Sequence, residues 1–178
     1  MPGFSFFSFS PLTETDLPLL AEWRARPHIA AWLGPADTAQ EMRAEYLAAR
    51  GQPPEVEGYM ARHEVRLVGF IQSYVAAGAG GGWWPDERDP GVRGIDQFLA
   101  EESDLGRGLG TAMIRAFLLK LFEDCAVRRV QTDPSPTNLR AIRSYEKAGF
   151  RAVGKVDTPD GPALLMYCER PAPADDER

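Results

Sequence analysis

The chain has 178 residues, 44% of them hydrophobic, with 26 acidic against 20 basic side chains and a formal net charge of -6. That length suits one domain with a sizeable core, and the composition excludes wholesale disorder. The acidic balance argues against nucleic acid and anionic membranes as partners, no apolar run approaches the ~20 residues of a membrane span, and the cysteines, Cys125 and Cys168, are too few for a disulfide framework and lack metal-ligand spacing.

The first residues, Met1-Pro2-Gly3-Phe4-Ser5, carry no basic region and no continuous apolar stretch, so they do not read as a signal peptide, and the expected compartment is the cytoplasm. Both cysteines read as free thiols packed in the core. Residues 4–10 alternate aromatic and serine as a first strand, ended by Pro11. Thr13, Thr15 and Asp16 offer caps for a helix over 17–23 with Pro18 in its first turn. Pro27 interrupts, and 29–33 forms a brief helical piece carrying Trp32. Asp37 or Thr38 caps a third helix through about Ala49, and 51–54 is a loop. Residues 58–64 and 67–76 form a hairpin around Val65-Arg66.

The stretch from Ala77 to Asp86 holds a run of small residues and then Trp83-Trp84, which predicts a mobile loop with an aromatic anchor. A strand over 92–100 places Gly94, Asp96 and Phe98 on one face and Ile95, Gln97 and Leu99 on the other. Residues 109–122 form an amphipathic helix whose buried stripe is Met113, Ile114, Phe117, Leu118 and Leu121. A strand follows over 127–132, broken by Asp133-Pro134-Ser135-Pro136. Asn138 caps a helix over 139–148 that Gly149 ends. Strands over 150–156 and 163–169 flank a turn, Thr158-Pro159-Asp160-Gly161. One domain is expected over 1–170, with a disordered Pro- and acid-rich tail over 171–178. The order of elements predicts an α/β mixed sheet with helices on both faces.

The chemistry concentrates in Leu105-Gly106-Arg107-Gly108-Leu109-Gly110-Thr111, between a strand and an amphipathic helix. Glycines let the backbone turn and clear side chains from a ligand's path, and the helix aims its unpaired N–H groups and dipole at the loop. Such an arrangement holds a phosphate or pyrophosphate. The second informative stretch runs from Asn138 through Ala141, Ser144, Tyr145 and Lys147 to Gly149-Phe150. Together these stretches resemble the GNAT acetyltransferases, apart from Leu105, where the family's loop motif begins with Gln or Arg. The resemblance implies a GNAT fold, mixed but mostly antiparallel, and acetyl-CoA as co-substrate with no metal. It places Gly106, Arg107, Gly108, Leu109, Gly110 and Thr111 at the pyrophosphate. Asn138, Ala141, Ser144 and Lys147 fall near pantetheine and adenosine, and Tyr145 beside the sulfur.

The phenol suits that position, since a phenol with a pKa of about 10 can supply the proton a departing thiolate takes up. Neither cysteine lies beside a motif histidine, so direct attack in a ternary complex is expected rather than an acyl-enzyme. His28 and His63 have no partner spacing and read as surface or core residues.

Within that family the chain is similar to the aminoglycoside 6′-N-acetyltransferases. The similarity is carried by Gly82-Trp83-Trp84 with 89–97, by 131–136, and by 158–163. It implies an acceptor that is a small polycationic sugar, antibiotic resistance as the outcome, and a monomer or weak dimer. Asp96 would hold the reacting amine and accept its proton, Asp133 would hold amines of the central ring, and Asp160 would add a further carboxylate. Trp83 and Trp84 would offer flat faces for rings and cations, and Tyr46 and Gln72 would line the acceptor pocket. Gly81 stands where well-known members carry an acidic residue and Ala79 where they carry serine, which removes polar contacts to the acceptor. Alternatives are an acyltransferase for another amine, such as a hydroxylysine in siderophore synthesis, and a non-catalytic acyl-CoA-binding module.

Overall fold

The structure, a computed structural model, describes residues 6–47 and 56–172. Strand β1 (Phe7–Pro11) turns Phe7 inward and closes on a proline. A 3-10 turn, Glu14–Asp16, is tied by the Asp16 carboxylate, which accepts from Thr13 N at 2.8 Å and Thr13 Oγ1 at 2.7 Å. Helices α1 (Leu17–Arg24) and α2 (Pro27–Leu33) each carry proline in the first turn. Pro27 therefore starts α2 instead of interrupting ahead of it, because a helix's first N–H has no intrahelical acceptor to lose. Helix α3 (Ala39–Tyr46) opens with a reciprocal cap: Glu41 N donates to Thr38 Oγ1 at 3.2 Å and the Glu41 carboxylate accepts from Thr38 N at 2.7 Å. It ends at Tyr46 with Leu47 already extended. The expected continuation to Ala49 and the loop over 51–54 lie outside the described residues, as do residues 4–5 of the first strand and most of the tail.

Strands β2 (Glu57–His63) and β3 (Arg66–Val75) form the expected hairpin, with its turn one residue earlier, at Glu64-Val65. Strand β4 (Val92–Leu99) is followed by a short 3-10 turn and the glycine loop. Helix α4 (Leu109–Phe122) has the predicted bounds, and the whole predicted stripe is buried. Then come β5 (Arg129–Thr132), α5 (Leu139–Ala148), β6 (Arg151–Thr158) and β7 (Gly161–Glu169). The sheet order is β1-β2-β3-β4-β5-β7-β6, antiparallel except where β4 meets β5.

Alternation along the central strands builds a core on each face. Phe70 and Phe98, paired across β3 and β4, pack with Leu20, Trp23, Met42 and Tyr46 of α1 and α3. Ile71 and Ile95 point the other way and pack with Ile114 and Phe117 of α4 and with Tyr145 of α5. Each fully buried side chain of this kind contributes about 1.5–3 kcal/mol. Both cysteines are free, as expected, and Cys168 is half-buried against the core on the α4 side; Cys125 departs from expectation, exposed beyond the end of α4, where the chain leaves the core. His28 Nε2 lies 3.0 Å from the Leu99 carbonyl, and the His63 ring sits 5.0 Å from that of Phe7.

Candidate active site

The parallel ladder between β4 and β5 runs from Val92↔Arg129 to Gly94↔Gln131 and stops there, while β4 continues to Leu99. Past Gly94 the neighbouring strands part, leaving one edge of β4 open over the residues that hold Asp96. The glycine loop lies at the end of that opening. Gly106 and Gly108 take φ of +72° and +84°, left-handed values that glycine adopts without cost, and nothing lies within 4 Å of where a Cβ would project. The first intrahelical bond of α4 runs from Ala112 N to Gly108 O, so the amides of Leu109, Gly110 and Thr111 have no intrahelical partner. Positive dipole, free amides and open space suit a pyrophosphate.

Helix α5 forms the other wall of the opening. Asn138 caps it as predicted, its side-chain oxygen accepting from Ala141 N at 3.2 Å, and Gly149 ends it in a left-handed conformation. Ala141 and Ser144 are half-buried and Lys147 is exposed, with its carbonyl accepting from Arg115 of α4. Tyr145 is buried, its ring 5.2 Å from Phe150 and its phenol beside Thr132 and Gln97. Burial, and then the charge of Asp96, push its pKa well above that of an ordinary phenol, so the group stays protonated across the physiological range.

Asp96 is held from the opposite side by a short chain of side chains. Gln72 Nε2 donates to Asp96 Oδ2 at 3.0 Å, and Tyr46 OH donates to Gln72 Oε1 at 2.8 Å. The register explains the first link, because Gln72 and Asp96 are direct partners across β3 and β4. The Asp96 side chain is half-buried and crowded by protein. That burial raises its pKa, Gln72 lowers it, Asp160 raises it and Arg24 lowers it.

Asp133, at the end of β5, is pushed up to about 8 by burial and then by Asp96 and Asp160. Asp160 sits exposed in the β6–β7 turn, its N–H donating to Thr158 Oγ1 at 3.2 Å. The predicted carboxylates therefore come close enough to perturb one another, although 64 positions separate the first from the last. Among the described residues no group of His, Cys, Asp and Glu could hold a metal ion, and no helix is long and apolar enough to cross a membrane.

The tryptophan loop is anchored to β3 through Tyr74. Trp84 Nε1 donates to Tyr74 OH at 2.9 Å, and the rings of Trp83 and Trp84 lie 5.8 Å apart. Tyr74 in turn lies flat across Gly94, where a Cβ would fall 2.2 Å from its ring, so the strand needs glycine there. Tyr74 was missed by sequence reasoning, though it stands two residues beyond Gln72 on the same strand face and the alternation that placed Asp96 would have found it. Arg24 was also missed. It donates to the Leu33 and Pro35 carbonyls at 3.3 Å each and pairs with Asp37 at 3.2 Å, behind Tyr46, and nothing in the local sequence marks it.

Comparison with known proteins agrees with this geometry. A family model described as an acetyltransferase (GNAT) domain matches residues 13–158. An aminoglycoside N(6′)-acetyltransferase type 1 of Klebsiella pneumoniae is 51% identical over 164 residues, covering 90% of this chain and 82% of the relative. A kanamycin resistance protein of Rhizobium radiobacter is 62% identical over 92 residues, 52% of this chain and 85% of that one. The crystal structure of aminoglycoside acetyltransferase AAC(6′)-Ib with coenzyme A and kanamycin superposes with a TM-score of 0.86 at 49% identity, over 93% of this chain and 95% of that one. The chain therefore belongs to the GNAT acetyltransferase family, among its aminoglycoside N(6′)-acetyltransferases.

Proposed function

We propose that the protein transfers the acetyl group of acetyl-CoA to the 6′-amine of aminoglycoside antibiotics, and so confers resistance to them. It would act in the cytoplasm as a monomer or weak dimer, with neither nucleic acid nor membrane as partner. The observation that carries this reading is the meeting of Asp96, Asp133 and Asp160 beside the buried phenol of Tyr145, at the point where β4 and β5 part. A polyammonium sugar needs several carboxylates, and charge-assisted hydrogen bonds to them contribute about 1.5–3 kcal/mol each.

Acetyl-CoA supplies an activated thioester. The amides of residues 109–111 and the glycine loop 106–110 hold its pyrophosphate. Asn138, Ala141, Ser144 and Lys147 border its pantetheine and adenosine. The 6′-ammonium gives one proton to solvent on binding; Asp96 holds the resulting amine and takes the second proton from the nitrogen as the amide forms, while Gln72 and Tyr46 fix the carboxylate's orientation. Asp133 and Asp160 hold other ammonium groups of the drug, and Trp83 and Trp84 lie against its rings. Tyr145 gives its proton to the departing sulfur, leaving an acetamide and the free thiol of coenzyme A. A side chain that must donate has to be protonated, and the raised pKa of this phenol serves that role. Neither Gly81 nor Ala79 offers a polar side chain, so recognition of charge falls on the aspartates.

A simple lysine-like amine would satisfy one of these carboxylates and leave the others facing each other. Thiol release from acetyl-CoA, measured with a panel of aminoglycosides bearing either a 6′-amine or a 6′-hydroxyl, tests the reading. Turnover is expected with kanamycin and tobramycin and not with paromomycin. Turnover of a monoamine in place of the 6′-amino drugs refutes it.

A further inference from the structure

Arg24, the last residue of α1, is a cation folded inward, with its side chain 13% exposed. Its Nη2 donates to the carbonyls of Leu33 and Pro35 at 3.3 Å each, and its Nη1 lies 3.2 Å from Asp37 Oδ2. Those contacts pin the connection from α2 to Thr38, the residue that caps α3. A loop brace alone leaves one observation unexplained. Arg24 Nε is buried with no hydrogen-bond partner, although a buried donor left unpaired is unfavourable. A guanidinium kept in such a place matters for its charge as well as for its bonds.

The charge acts on Tyr46, the last residue of α3, buried where α1 and α3 pack through Leu20, Trp23 and Met42. Burial chiefly keeps that phenol protonated, with help from Glu45; Arg24 works against them, while Asp96 and Asp37 add to them. A cation near a phenol strengthens its O–H as a donor. The hydroxyl donates to Gln72 Oε1 at 2.8 Å, and Gln72 Nε2 donates to Asp96 Oδ2 at 3.0 Å. Both bonds point the same way, toward the carboxylate, and bonds in series polarise one another in a low-dielectric interior. Burial disfavours the charge of Asp96, Gln72 favours it, Asp160 in the β6–β7 turn disfavours it and Arg24 favours it. The other titratable groups facing Asp96 are Asp133 at the end of β5 and the phenols of Tyr74 in β3 and Tyr145 in α5, none of them a cation.

The geometry points to Arg24 as a positioning residue for acetyl transfer, the outer end of a chain Arg24–Tyr46–Gln72–Asp96 that aims the Asp96 carboxylate and favours its charged form. In this role Arg24 touches neither drug nor coenzyme. It braces the entry to the helix that carries Tyr46 and directs the polarity of the chain inward. A carboxylate that is to receive a proton from nitrogen must first be ionised, and the neighbouring carboxylates work against that. This assignment rests on the acceptor reading above and adds what keeps its base ready among like charges.

The test follows kcat/KM for kanamycin against pH in Arg24→Met, Arg24→Lys and Asp37→Asn, because its acid limb reports the free enzyme's base. In Arg24→Met the limb should move to higher pH, and kcat at neutral pH should fall about tenfold, within the ~10² that a misplacement of about 1 Å can cost. Arg24→Lys keeps the charge but not the forked contacts, so its limb should stay where the parent's is. Asp37→Asn keeps an oxygen for Nη1 and removes the counter-charge, so its limb should move to lower pH. KM for acetyl-CoA should stay within about twofold in all three. An unmoved limb in Arg24→Met, or limbs that shift in the same direction in Arg24→Met and Asp37→Asn, would reduce Arg24 to a loop brace and overturn the proposal. If Arg24→Met does not fold, the direction of the shift in Asp37→Asn decides. Carboxyl ¹³C NMR titration of Asp96 in the ligand-free proteins reads the same shifts without turnover. A parent protein that binds kanamycin and does not acetylate it would refute the proposed reaction and leave the chain to be judged on that titration.

Discussion

Replacing Asp96 with asparagine separates chemistry from folding. The substitution keeps the size of the side chain and an oxygen for Gln72 Nε2, which now donates to the carboxylate at 3.0 Å. It removes the charge and the capacity to accept a proton. Loss of an acid/base group costs about 10²–10⁴ in turnover, or about 3–5 kcal/mol of barrier at 1.36 kcal/mol per decade. Stability should move the other way. The raised pKa of Asp96 records that its charged form is disfavoured, by burial first and also by Asp160. A neutral amide escapes both penalties, and each 1 kcal/mol regained at this chain length raises the melting temperature by about 2–4 °C. The assays are thiol release at saturating kanamycin and a thermal melt without ligand. A kcat within about threefold of the parent's removes Asp96 from the chemistry. A lower melting temperature refutes the claim that its ionised form is strained.

Tyr145→Phe should lower kcat at least about a hundredfold, the scale of a lost proton donor, with KM for acetyl-CoA within twofold; unchanged turnover in steady-state kinetics would reduce the phenol to packing. Asp133, raised to about 8 in the folded protein from an ordinary 3.8, keeps a proton that the unfolded chain gives up, so its contribution to stability is full below about pH 4 and is lost as pH rises through 8. Melts of the ligand-free protein should show this decline with pH, Asp133→Asn should flatten it, and bound kanamycin should reverse it by supplying a cation. Gly108→Ala forces a side chain into a left-handed backbone at φ +84° with no clash to relieve. The cost of about 1–2 kcal/mol should appear as a several-fold rise in KM for acetyl-CoA with KM for kanamycin unchanged.

The readable parts of the fold are those that local spacing controls. The stripe from Met113 to Leu121 fixes α4 and its buried face, Asn138 and Gly149 bracket α5 with a cap and a left-handed stop, and alternation along β4 puts Asp96 opposite Ile95. Errors fall where a residue type has two uses. Proline reads as a break at position 27 but serves as the first residue of a helix, and a cysteine at 125 reads as core but lies past the end of one. What local pattern cannot supply is the order of strands. Asp160 reaches Asp133 and Asp96 only because β7 inserts between β5 and β6, an arrangement set by the packing of the whole sheet. Asp133 and Asp160 were nominated from family resemblance; their mutual electrostatics became visible only in three dimensions. Tyr74 had only the alternation of its strand to announce it.

The carboxylate cluster also explains why charge, more than shape, would define the acceptor. Like charges in a crowded cleft resist ionising together, and here both Asp96 and Asp133 have pKa values raised in part by neighbouring carboxylates. The ligand-free site therefore keeps a proton on Asp133 near neutral pH, and a cation must displace it. A monoamine compensates one carboxylate and leaves the mutual repulsion of the others in place. A polyamine compensates several at once, and each ammonium that binds makes the next carboxylate easier to ionise, so affinity grows faster than the number of contacts. Burial, the first cause of the raised Asp96 pKa, persists when a cation is bound and would poise the group for catalysis: a basic carboxylate accepts the proton of the attacking nitrogen more readily than an ordinary one. In that view the cost of gathering aspartates, visible as strain in the empty protein, is offset only when a polycation arrives, which ties substrate choice and proton transfer to one electrostatic feature of the fold.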